Sequence, residues 1–126
     1  MVLVDSSVWI EYFKGNESAL PLNELIDNNN LCINDLILSE LLPSINHRNE
    51  VDLKELLLAI TKINIVINWH QVILMQTMNL RNGINKVGIA DLIITQNAID
   101  NDLELFAFDK HFILMSELHE LKIFKR

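Results

Sequence analysis

Residues 2–7 read Val2-Leu3-Val4-Asp5-Ser6-Ser7, three apolar residues that run straight into an acid and two hydroxyls. Two of the three are β-branched, and a short apolar run without polar alternation suits a strand buried on both faces. Ser6 and Ser7 are cap-forming residues and predict a helix from Val8. An acid at the carboxyl end of a central parallel strand stands where open α/β sheets bind their ligands. Asp5 is therefore the first candidate site residue.

Downstream, strands and helices alternate. Val8, Trp9, Tyr12 and Phe13 form an apolar stripe at helical spacing that Gly15 closes. Glu17 to Asp27 reads as a helix with Leu20, Leu22, Leu25 and Ile26 inward. Leu31-Cys32-Ile33 is a second strand, and Asn34-Asp35 caps a helix that Pro43 is expected to interrupt. A further helix spans about Glu50 to Thr61. Ile63 to Ile67, β-branched at four of five positions, predicts the third strand. Helices then follow from about Trp69 to Arg81 and after Gly88. Leu105 to Phe108 predicts a fourth strand running into Asp109, and Leu121 to Phe124 a fifth at the sheet edge. This alternation predicts a doubly wound, mainly parallel sheet of four to five strands in one α/β domain, 1–126.

At 126 residues and 50% hydrophobic content, the chain suffices for one buried core. No apolar run reaches the roughly 20 residues of a membrane helix, and no secretory signal is visible, so a cytoplasmic protein is expected. The single cysteine, Cys32, excludes an internal disulfide and reads as a buried thiol. The net charge of −7 argues against broad, non-specific nucleic-acid binding. Two divalent cations would bring it to about −3 and draw phosphate inward. Acidity therefore leaves a metal-dependent nuclease open.

Four acids break apolar patterns. Asp5 and Asp109 end strands, Glu40 lies among Leu36, Ile37, Leu38, Leu41 and Leu42, and Asp91 divides Val87-Gly88-Ile89-Ala90 from Leu92-Ile93-Ile94. A carboxylate beside hydrocarbon is costly unless paired or bound to a cation. Oxygen-only donors suit Mg²⁺ or Mn²⁺, and no His or Cys joins them at zinc spacing. Each also has a plainer reading: Asp5 and Asp109 as helix caps, Glu40 on a solvated face, Asp91 offsetting a helix dipole.

Taken together, VLVDSSVWIEYF (2–13), LILSELL (36–42), GIADLIITQNA (88–98) and LFAFDKHF (105–112) resemble the PIN-domain family. More narrowly, they resemble the VapC-type toxins of prokaryotic toxin–antitoxin pairs. The resemblance implies a Mg²⁺- or Mn²⁺-dependent endoribonuclease, usually a homodimer, with Asp5, Glu40, Asp91 and Asp109 as catalytic metal ligands. It also implies a small antitoxin whose tail enters the site and whose other end binds DNA. Ala107 departs from the pattern, since the family often has Ser or Thr there. Ser6 matches a polar family position and is an accessory candidate, to orient Asp5 or simply to cap.

The expected chemistry is hydrolysis of an RNA phosphodiester by water, without a protein nucleophile. Among Lys14, Arg48, Arg81, Lys86 and Lys110, the last directly follows Asp109 and is the first choice for a phosphate contact. His111 is the histidine nearest to the predicted site. A receiver module would need paired acids at the first strand, and a haloacid-type phosphatase a second Asp at position 7, where Ser7 stands. The competing class is a PIN-like scaffold kept for partner binding.

Overall fold

A computed structural model describes residues 1–125 and puts β1 (Val2–Val4) in the middle of a five-stranded sheet. The other strands are β2 (Leu31–Ile33), β3 (Thr61–Lys62), β4 (Glu104–Phe106) and β5 (Lys122–Ile123). They lie in the order β3-β2-β1-β4-β5, and every neighbouring pair is parallel. The connections carry the helices α1 (Ser6–Phe13), α2 (Pro21–Asp27), α3 (Asp35–His47), α4 (Val51–Ala59), α5 (Trp69–Arg81), α6 (Ile89–Asp100) and α7 (Lys110–Leu118).

Val2, Leu3 and Val4 are all buried, as an uninterrupted apolar strand with both faces covered requires. Around them pack Val8, Trp9, Ile33, Ile37, Leu92, Ile94, Leu105 and Phe112, all essentially inaccessible to solvent. From β1 the order runs outward to β2 and β3 on one side and to β4 and β5 on the other. The reversal falls between β1 and β4, and helices that leave neighbouring strands in opposite directions open a crevice there. Val4 pairs with Phe106, and the Asp5 amide donates to the Phe106 carbonyl at 2.9 Å, one residue beyond the strand.

Several predicted boundaries are corrected. The third strand is Thr61–Lys62, ahead of the β-branched run. Pairing continues only to the Ile63 amide, which donates to the Ile33 carbonyl; the Asn64 carbonyl then accepts from the Asn97 side chain and draws the chain off the sheet. Edge strands are short and often carry lysine, as Lys62 does here. Pro43 does not break α3, because Leu38, Leu41 and Ile45 are buried on both sides of it. Residues 17–27 divide into a 3-10 turn, Glu17–Ala19, and α2, which starts at Pro21, leaving Leu20 exposed rather than inward. The fourth strand stops at Phe106, so Ala107 and Phe108 lie in the segment between β4 and α7.

Candidate active site

Asp5 is the N-cap of α1, so that helix begins at Ser6, two residues ahead of the predicted start. Its carboxylate is 5% exposed. It is held by two donors from Ser7: the hydroxyl at 2.6 Å and the amide at 3.2 Å. Hydrogen bonds to an ionised acceptor are among the stronger ones and offset the cost of burial. The same Ser7 hydroxyl accepts from the Phe108 amide at 3.1 Å. One oxygen thus joins the chain leaving β1 to the chain leaving β4.

Asp109 caps α7, its Oδ1 accepting from the His111 amide at 2.9 Å and facing His111 Nδ1 at 2.9 Å. The cap readings of Asp5 and Asp109 are therefore both correct, and capping is what fixes where these carboxylates stand. Asp91 sits in the first turn of α6. Glu40 is exposed as a residue, contrary to its apolar neighbourhood in sequence. α3 buries Ile37, Leu38 and Leu41 and leaves Glu40 at the rim.

These acids share one electrostatic field. Partial burial raises the Glu40 pKa, and the charges of Asp5 and Asp91 push it further, while the Ser6 hydroxyl pulls it back. The Asp91 pKa is raised by burial, then by Asp5 and Asp109, with His111 opposing. Asp5, Glu40 and Asp91 thus act on one another, and Asp109 acts on Asp91. Ser6 acts on Glu40, whereas Asp5 is oriented by Ser7, a role that the sequence reading assigned only to capping. Among the described residues, no three His, Cys, Asp or Glu side chains are close enough as placed to hold a metal ion. The donor chemistry, oxygen only and surplus in negative charge, fits a hard divalent cation and not zinc.

Beside Glu40 lies a groove of about 500 Å³ with Ile10, Phe13 and Leu53 on its walls and Lys14 and Arg48 at its edge. Lys14 pairs with Glu11 at 3.6 Å and Arg48 with Glu50 at 3.9 Å. Exposed pairs of this kind are worth at most about 1 kcal/mol and yield readily to a phosphate. Lys110 is exposed and makes no salt bridge among the described residues. No described helix is long and apolar enough to cross a membrane.

Comparison with known proteins agrees with the fold. A family model for the PIN domain matches residues 2–118. The fold is similar to that of VapBC2 from Rickettsia felis bound to a promoter DNA fragment, with TM-score 0.76 and 19% identity over 98% of each chain. It is also similar to FitAcB from Neisseria gonorrhoeae, at TM-score 0.73 and 16% identity over 99% of this chain and 97% of that one. PAE2754 from Pyrobaculum aerophilum gives 0.59 and 15%, over 90% and 78%. No curated protein sequence matches the chain.

Proposed function

The chain belongs to the PIN-domain family, and from that premise we propose that it is a metal-dependent endoribonuclease, the toxin of a toxin–antitoxin pair. The observation that carries this reading is that the carboxyls of Glu40 and Asp91 have raised pKa values, first through burial and then through neighbouring acids, Asp5 and Asp91 for Glu40 and Asp5 and Asp109 for Asp91. Carboxylates that repel one another favour a bound cation or a shared proton.

Asp5, Glu40 and Asp91 would hold one Mg²⁺ or Mn²⁺, with Asp109 at its border or serving a second. Such an ion lowers the pKa of water towards ~7 and neutralises charge that builds up on phosphate. In the reaction, a water oxygen bonds to phosphorus, the bond from phosphorus to the 3′ oxygen breaks, and that oxygen takes up a proton. Ser7 keeps Asp5 aimed into the crevice, Ser6 steadies Glu40, and His111 limits the rotation of Asp109. Lys110, with Lys14 and Arg48 across the crevice, receives phosphates on either side of the cut.

A cytoplasmic antitoxin partner is supported by the likeness to VapBC2 and FitAcB, both two-component complexes. A homodimer is supported by α5, where Trp69, Ile73 and Leu80 lie within one helical stripe and are each more than half exposed. The scaffold reading draws on Ala107 and on the separation of the donors.

The deciding experiment is cleavage of a mixed RNA pool with Mg²⁺, Mn²⁺ or chelator, run beside Asp5→Asn and Asp91→Asn. Metal-dependent cutting by the parent, lost in both variants, is expected. A parent that cuts nothing, and whose melting temperature does not move with millimolar Mn²⁺, leaves the scaffold reading in its place.

A further inference from the structure

Among the described residues, Trp69 and Phe108 are the only Trp, Tyr or Phe side chains exposed to solvent. Trp69 opens the apolar stripe of α5. Phe108 has no such company: it lies between Ala107 and Asp109 where the chain leaves β4.

Its placement is fixed at two points. The Phe108 amide donates to the Ser7 hydroxyl, which itself donates to Asp5, so the Phe108 backbone is tied to the central carboxylate through one oxygen atom. The ring meets Phe106 edge to face, with centroids 5.6 Å apart and planes at 88°, and Phe106 rests on Phe124 at 4.9 Å. A side chain backed in this way has little rotamer freedom left to lose when something settles on it.

From this geometry we infer that Phe108 is a stacking platform for a base of the RNA strand beside the phosphate that is cut. The inference rests on the ribonuclease reading and extends it to how the strand is held. A protein with net charge −7 gains little from long-range attraction to RNA. Stacking on an aromatic face supplies affinity that does not depend on the sign of the surrounding field, and every base has such a face. Lys110, two residues on and exposed, is placed to take the phosphate of the same nucleotide. The absence of a polar base-reading group at Ala107 and Phe108 makes this contact tolerant of sequence, with purines favoured by their larger surface.

The test is steady-state cleavage of a short single-stranded RNA with Mn²⁺ by the full chain and by Phe108→Ala, Phe108→Leu and Phe108→Trp. Each protein is also given substrates carrying an abasic nucleotide on one or the other side of the cut. Ala and Leu should raise KM by roughly ten-fold while kcat stays within about two-fold, and Trp should restore the parent value. One abasic substrate should cost the parent the same factor and cost Phe108→Ala nothing further. Phe108→Leu keeps the contact with Phe106 and should melt like the parent, which separates stacking from folding. Unchanged KM in Ala and Leu, or an abasic penalty undiminished in the variants, overturns the platform while leaving the ribonuclease reading intact. A parent that cuts no RNA overturns both.

Discussion

Replacing Ser7 by Ala removes an oxygen that serves two partners, and the consequence can be worked through. The hydroxyl donates to a carboxylate that is 5% exposed, at 2.6 Å, and accepts from the Phe108 amide at 3.1 Å. A hydrogen bond to a charged group contributes about 1.5–3 kcal/mol net, and a neutral one about 1 kcal/mol. Water can reach Phe108 and replace part of the second bond, and alanine recovers a few tenths of a kcal/mol through its helix propensity. The expected loss is therefore about 2–3 kcal/mol. For a domain of this size that is a fall in melting temperature of about 6–15 °C, read by circular dichroism at neutral pH. Cleavage should fall by more than about ten-fold, because Asp5 retains only the longer bond from the Ser7 amide. A variant that melts within about 2 °C of the parent would refute the idea that this hydroxyl fastens the ends of β1 and β4 together.

Three further outcomes are expected. The carboxyls of Glu40 and Asp91 have raised pKa values, so the fold favours their neutral forms. That stability is present below the ordinary carboxylate range near 4 and is lost as pH rises through the raised values. Asp91→Asn should accordingly melt higher than the parent at pH 7 and show a flatter pH profile above about 4, and identical profiles would count against the shared field. Burial pushes the Cys32 thiol up to about 11, so a thiol-specific dye at pH 8 should label the folded protein negligibly and the urea-unfolded protein fully. Ile73→Glu places a charge in the middle of the apolar stripe on α5, where Ile73 is 62% exposed; light scattering should report a monomer, and an unchanged dimer mass would remove that face from the interface.

Most of the architecture was legible because local signals agreed with one another. α5 falls on its predicted span, Trp69–Arg81: Asn68 caps it by accepting from the Gln71 amide, and Gly83 takes the positive φ of 76° that ends it. Asp5 and Asp109 were legible because a carboxylate closing an apolar strand has few plain explanations. Glu40 drew notice for its apolar neighbours in sequence, yet those neighbours are buried while it is not. β3 was misplaced because β-branched content cannot reveal which strand lies at the edge, where pairing stops early. Pro43 was overruled by the buried leucines around it. The bond between Ser7 and Phe108 had no local signal at all, as its partners are 101 positions apart in the chain.

That separation bears on when the crevice comes into existence. Its two walls are 101 positions apart in the chain, so a ribosome must have passed Phe108 before they can meet. A chain stopped short of Phe108 lacks one of the two walls. For a molecule whose proposed work is to destroy RNA, the arrangement spares the message from which it is being read.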